Sequence, residues 1–371
     1  MATKLLDRNC PSRITPTIDR ELAPILKLNT CPSTMTTLTK TRTIVVLGAT
    51  GNQGSGVVRA LLQKNPYHPA SFSVRAVTRD PSSPQAERLR AVYPEEEASG
   101  RLQLVPGDVY DVTSLERAFD GVWGVFAVTN NRLPGQMIET EEDLEHELVA
   151  GRNIVAAAKV SEVRHFVISS LPNLADASNG QFQKVFHFDH KFQIEQLAKS
   201  ELTAVTALRP GLFYTNVQWV QYCRRNANGI VRFCPPVPPN KTADWTDPSY
   251  DIGIYAAGTF DTIPQSILVI CYVVSSKMRF ADLPAIFSTV RHQSAIFDPI
   301  SLDDWGAAVA RTVGKGYEED IRQMMEWIAV APDEKICYGT MTPKEDCSWA
   351  DLGVRASTFE DWLRRSGWQG P

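Results

Sequence analysis

Short, largely apolar runs recur along the first two thirds of this chain, and each is followed by a segment patterned like a helix. Ile44–Leu47, Phe72–Val77, Leu102–Val105, Gly124–Val128, His165–Ser169 and Thr206–Arg209 read as strands. Between them, Val57–Leu62, Ala86–Tyr93, Val112–Phe119, Glu141–Lys159 and Phe188–Ser200 repeat apolar residues at helical spacing. Apolar runs this short, without a polar face, fit strands covered on both sides. Strands that alternate with helices must be joined by crossovers. The pattern therefore predicts an α/β fold, a Rossmann-type doubly wound parallel sheet with helices on both faces.

The first strand breaks abruptly into GATGNQG, with Gly48, Gly51 and Gly54 spaced three apart and a helix directly after. In that context each glycine has a task. The first permits a tight turn, the second lets the backbone approach a pyrophosphate, and the third packs the helix on the strand. The phosphates then meet the free N–H groups and positive end of the helix. The second strand ends in VTRD, which puts Arg79 where an NAD site usually carries an acidic residue. A guanidinium matches a 2′-phosphate, so Arg79 favours NADP(H) over NAD(H). Asp108, at the end of the third strand, and Thr129-Asn130, at the end of the fourth, fall on the adenosine and ribose side; as turn-prone residues each also fits a plain loop.

The remaining features bound the class. The chain has 371 residues, 43% of them hydrophobic and 22% charged, which is globular composition. A net charge of -4 advertises neither nucleic acid nor an anionic membrane as a partner. The seven cysteines are scattered and never spaced CxxC, which points to reduced thiols in the cytoplasm (the nucleus being the alternative) and to no metal site. No run approaches the ~20 apolar residues of a membrane span. The longest, Ile267–Val274, fits a buried strand. Residues 1–40 are rich in Thr, Pro and Ser without a sustained period, and read as a disordered extension or as sequence ahead of a true start at Met35. Residues 41–225 are expected to form the NADP-binding Rossmann domain. After about Asn226 the pattern loosens, with CPPVPP from Cys234 as a rigid turn or linker, so 226–371 is expected to be a smaller α+β region over one end of the sheet, serving substrate or partner.

The ordered motifs GATGNQG, VTRD, GDVYD, FAVTN, FVISSLPN, HFDHK and LRPGLFYTN resemble the NmrA-like family, an atypical branch of the short-chain dehydrogenase/reductase superfamily. The likeness covers Thr43 to about Val217 and continues more loosely through FADLPAIFSTV, ISLDDW and TFEDWL. It implies a Rossmann fold, NADP(H) on the glycine loop and a substrate cleft under the C-terminal part. By resemblance, Gly48, Ala49, Thr50, Gly51, Asn52 and Gln53 wrap the pyrophosphate and Arg79 holds the 2′-phosphate. Asp108, Thr129 and Asn130 line the adenosine side, Lys191 meets the nicotinamide ribose, and Phe213 and Tyr214 stand beside the nicotinamide. Two departures stand out. Thr215 replaces a frequent Glu, and Asp261–Ser276 is unlike the family's usual polar connection.

Ordinary members of the superfamily use Tyr-x-x-x-Lys. Here the equivalent spacing is His187-x-x-x-Lys191, which puts both side chains on one helix face. His187 can donate a proton near neutral pH, or it can simply pack at the start of its helix. Ser169 or Ser170 can polarise a carbonyl or cap the next turn, and His165 and His190 read as structural. The expected function is an NADP(H)-dependent oxidoreductase that reduces a small organic carbonyl or enone, in secondary metabolism, with Lys191 and His187 as catalytic residues. The aromatic stretch LRPGLFYTNVQWVQY and the downstream tryptophans point to an aromatic or polyketide-like substrate, or else to core. The alternative is a non-catalytic sensor of the NADP+/NADPH ratio that regulates a protein partner.

Overall fold

The structure, a computed structural model, describes residues 41–63, 72–133, 135–262 and 269–371. Residues Thr41–Pro371 form one compact unit. The expectations of a disordered extension over 1–40 and of a start at Met35 lie outside the described residues.

The first half alternates as expected. Strands β1 (Arg42–Val46), β2 (Phe72–Thr78), β3 (Leu102–Pro106), β4 (Gly124–Ala127), β5 (His165–Ser169) and β6 (Val205–Pro210) form in chain order. The helices between them are α1 (Asn52–Leu62), α2 (Pro84–Val92), α3 (Pro94–Ala98), α4 (Val112–Phe119), α5 (His146–Val160), α6 (Leu174–Ala177) and α7 (Phe186–Glu201). The expected helix from Glu141 begins with a single 3-10 turn, capped reciprocally by Thr140 and Asp143, before α5 proper.

Beyond β6 lie β7 (Leu212–Phe213), β8 (Cys223–Arg225), β9 (Val231–Phe233) and β10 (Thr242–Thr246). Helix α8 (Asp251–Thr262) then leads to β11 (Val269–Val274) and β12 (Ser276–Arg279). The chain ends with α9 (Asp282–Arg291), β13 (Ala295–Phe297), α10 (Leu302–Thr312), α11 (Glu318–Val330), α12 (Ser348–Leu352) and α13 (Phe359–Ser366).

The main sheet has seven strands in the order β11-β6-β5-β4-β1-β2-β3. Every pair in it is parallel. Side chains of β1 and the residue after it divide between two cores: Ile44 and Val46 join α1 and α8 on one face, while Val45 and Leu47 join α4, α5 and α7 on the other. Each such buried aliphatic contributes roughly 1.5–3 kcal/mol. A third core, rich in aromatics, sits beneath α9, α10, α11 and α13 with the two small sheets β12-β10-β7 and β13-β9-β8.

The boundary expected at 225/226 is not a break in the sheet. Strand β11 pairs in register with β6, Val269 opposite Val205 through Val274 opposite Pro210. Helix α8 packs on α1 at a crossing of two glycines. A Cβ on Gly253 would stand 2.2 Å from the Gly56 carbonyl oxygen, so the backbones touch directly. The stretch that departs from the family thus supplies the edge strand of the sheet, while 226–250 and much of 275–371 build the cap and α12 packs back on α8. Among the described residues no helix is long and apolar enough to cross a membrane.

His165 is buried in β5 as a structural residue. Its Nε2 lies 2.9 Å from Thr206 Oγ1, and its ring packs edge-on against Trp123 and Phe260. Burial, helped by the Arg42 charge, pushes its pKa down to about 3. The unfolded chain binds that proton near pH 6.5. The stability this neutral imidazole allows is therefore full above pH 6.5 and is lost as pH falls towards 3. His165→Asn should flatten the fall in denaturation midpoint between pH 6.5 and 4. Parallel pH curves for the two proteins would overturn this.

Candidate active site

All the strands of a parallel sheet end at the same edge, and ligands of such sheets bind there. The loop after β1 turns through Gly48 at φ +61°, a left-handed conformation that glycine adopts without a steric cost. Its carbonyl accepts a hydrogen bond from Gly51 N–H at 2.8 Å. A Cβ on Gly54 would lie 2.2 Å from that same carbonyl oxygen, so Gly54 is what lets α1 close onto the loop. A Cβ on Gly51 would meet only the Gly48 oxygen, at 3.3 Å, so its absence leaves room on the cleft side. No side chain caps α1, whose N-cap is Gly51, and the N–H groups of its first turn lack intrahelical partners. Gln53 Oε1 is buried there without a hydrogen-bond partner. Unpartnered donors at a positive helix end, plus the space left by Gly51, fit a diphosphate.

The opposite wall is built on α7. His187 and Lys191 lie one turn apart and both face the cleft. Each is held by a buried carboxylate from another element. Asp320, at the start of α11 and fully buried, takes His187 N–H at 2.9 Å on Oδ2 and pairs His187 Nδ1 with Oδ1. Lys191 Nζ pairs with Glu147 Oε1 of α5, which also accepts Thr129 Oγ1–H at 2.5 Å. Glu147 is fully buried, and its Oε2 has no partner. Asp189, between the two on α7, accepts Leu174 N–H at 3.1 Å, and burial pushes its carboxyl up to about 6. Tyr317 lies beside His187, ring centroids 5.8 Å apart, and accepts a hydrogen bond from Asn131 Nδ2. Burial raises its phenol well above the ordinary value, so it stays protonated.

The cleft measures about 390 Å3. It brings Gly48, Gly51, Asn52, Gln53 and Gly54 together with Thr129, Asn130, His187, Lys191 and Phe213. Ser169 lines it as well, whereas Ser170 turns back to the Lys191 carbonyl at 3.3 Å. Ala49 is buried beneath the loop and Thr50 faces outward; neither lines the cleft. Arg79 and Asp108 lie off this cleft, past the ends of β2 and β3, where both act electrostatically on the Tyr110 hydroxyl.

Tyr214 requires a correction. Its ring is fully buried, stacked on Trp245 and Trp362, and its hydroxyl is bound to Ser276 Oγ at 2.9 Å and to the Ser357 carbonyl oxygen at 3.2 Å. The 3-10 turn that begins at Tyr214 rotates it away from Phe213, into the cap core. Four of the eight tryptophans are core too. Trp245, Trp305 and Trp362 are fully buried, and Trp219 is the one that lines the cleft. Glu147, Asp320 and Tyr317 escaped sequence reasoning. Each sits in an ordinary helical or turn context, and only the packing of α5 and α11 against α7 gives it a partner. Among the described residues no cluster of His, Cys, Asp and Glu fits a metal ion, and Cys223, Cys234, Cys271 and Cys337 form no disulfide.

The NmrA-like family model matches residues 40–362, most of the chain. The chain belongs to the NmrA-like family. Among its relatives is an NmrA-like family domain-containing oxidoreductase of Aspergillus hancockii, 38% identical over 276 residues, with 71% of this chain and 76% of that one covered. The fold is shared with NmrA, a negative transcriptional regulator crystallised with NADP, at a TM-score of 0.62 and 20% identity over 88% of this chain and 92% of that one. It is also shared with an NADPH-dependent quinone oxidoreductase of Escherichia coli in complex with NADPH, at a TM-score of 0.61 and 16% identity over 87% and 99% of the two chains. The fold of this NmrA-like protein thus occurs in both a regulator and an enzyme.

The glycine geometry separates two substitutions. Gly54→Ala forces backbone apart at a 2.2 Å contact and should cost about 1–3 kcal/mol, as overpacking does. Gly51→Ala, at φ -92°, should cost well under 1 kcal/mol. Urea denaturation checks both, and equal losses would refute the distinction.

Proposed function

We propose that this NmrA-like protein is an NADP(H)-dependent oxidoreductase that reduces a small organic carbonyl or enone. The observation that carries the reading is the pair of carboxylate-backed side chains, His187 on Asp320 and Lys191 on Glu147, in one cleft with the glycine loop. When bound, the nicotinamide supplies a hydride to a substrate carbon. The chain supplies everything else. The start of α1 holds the diphosphate, and Arg79 the 2′-phosphate. Asp108, Thr129 and Asn130 serve the adenosine and ribose side. Lys191, its charge balanced by Glu147, is suited to hold ribose hydroxyls, and Phe213 packs beside the reacting ring.

Proton delivery falls to His187. Asp320 binds Nδ1, so Nε2 is the ring nitrogen left to face the cleft. A carboxylate on Nδ1 fixes the tautomer and stabilises the protonated ring until Nε2 gives its proton to the oxygen or carbon that gains charge. Asp320 thereby positions the donor without touching substrate. The apolar side of the cleft, with Phe188, Leu212, Tyr222, Val309 and Met324, suits an aromatic or polyketide-like body.

Loss of NADPH absorbance with a panel of quinones, enones and aromatic ketones tests the reading. His187→Ala should lower kcat by about 10²–10⁴-fold with little effect on NADPH affinity. Asp320→Asn, which puts a donor against Nδ1 and inverts the tautomer, should fall in the same range. Arg79→Ala should weaken NADPH much more than NADH. Binding of NADPH without turnover on any carbonyl, together with a partner interaction that differs between NADP+ and NADPH, would replace this reading with the sensor.

A further inference from the structure

The proposed transfer leaves one cation of the cleft unused. Arg132 follows β4 by a few residues and lines the cleft beside Asn131 and Trp219. Its guanidinium lies 4.6 Å from the centroid of the Trp219 ring, a cation–π stack that fixes an otherwise long and mobile side chain. The loop beneath it is held as well. Arg132 N–H donates to Asn130 Oδ1 at 3.1 Å, and Asn131 ties the loop to Tyr317 of the cap. Arg132 is near enough to Tyr317 to oppose the upward push of burial on that phenol.

Arg209, Arg232, Arg322 and Arg365 each pair with a carboxylate. Among the described residues none pairs with Arg132. A guanidinium stacked on an indole, facing a cleft and lacking an anion, presents its donor fork to whatever enters. Phe213, Trp219, Tyr222 and Met324 also line this cleft and give it largely apolar walls.

We propose that the substrate half of the cleft takes a planar aromatic ligand that carries a carboxylate, with the carboxylate on Arg132 and the ring between the aromatic walls. This rests on the reading that the glycine-loop half holds the dinucleotide. The ring gains from burial and the carboxylate from a charge-assisted pair with the exposed Arg132 guanidinium at the mouth of the cleft. The charge also sets direction. With the anion fixed at Arg132, only the other end of the ligand is free to reach past Tyr317 to His187.

The test uses two probes of the same shape, 2-naphthoate and 2-naphthamide, titrated calorimetrically into the NADP+-saturated protein. The wild-type chain should bind the naphthoate about tenfold more tightly than the amide. Arg132→Gln should abolish that preference while leaving the affinities for naphthamide and NADP+ unchanged. Arg132→Lys should restore part of it, because charge returns without the planar fork. Equal binding of the two probes to the wild-type chain, no naphthoate binding at low millimolar concentration, or a preference that survives Arg132→Gln would each overturn the proposal. Loss of NADP+ affinity in Arg132→Gln would overturn it too, by giving the guanidinium to the cofactor. An Arg132-dependent naphthoate preference in a chain that binds no NADP+ would keep the anion site and refute the cofactor reading instead.

Discussion

One buried carboxylate joins the sheet to its cap. Asp320 begins α11, yet both of its oxygens are engaged by His187, one through the backbone N–H and one through the ring. A carboxyl group with no exposure to water is tolerable only with such partners. Removing one partner of a buried pair typically costs about 3–5 kcal/mol. The cap is therefore docked on α7 in one register. Since α10, α11 and the turn at Tyr317 form the outer wall of the cleft, that docking decides the width of the space opposite the glycine loop.

The same economy holds one turn along the helix. Lys191 is matched by Glu147, and Glu147 in turn by Thr129 at the end of β4. The two nitrogen-bearing side chains of α7 thus reach the cleft in different settings. The Lys191 ammonium has its charge balanced from behind, while His187 keeps one nitrogen tethered and one facing inward. A fold that occurs in both a transcriptional regulator and a quinone oxidoreductase does not choose between binding and catalysis. The choice lies in such local pairings.

Much of the scaffold was legible because burial on both faces leaves a simple trace. Ile44–Leu47 is apolar throughout and His165–Ser169 is apolar at its centre, and both became central strands. Helix α8 was not legible. DIGIYAAGTFDT is apolar nearly all round, since it lies between α1 and the chain that returns past α12, and a helix buried on most sides shows little amphipathic period. Tyr214 was misplaced for a related reason. A motif gives the order of residues, whereas one turn of 3-10 helix decides which of two adjacent aromatics faces the cleft.

The sequence by itself determined the alternating architecture, the glycine loop with its uncapped helix, and the shared face of His187 and Lys191. All three follow from local periodicity and backbone sterics, which act over a few residues. The tertiary structure alone decided which carboxylates stand behind those two side chains, which tryptophan lines the cleft, and that the strand at Val269–Val274 completes the sheet. Glu147, Asp320 and Trp219 are set apart from their partners by tens of residues or more. Contacts of that range depend on how whole helices dock, and docking is fixed by the summed packing of three cores rather than by any single stretch of chain.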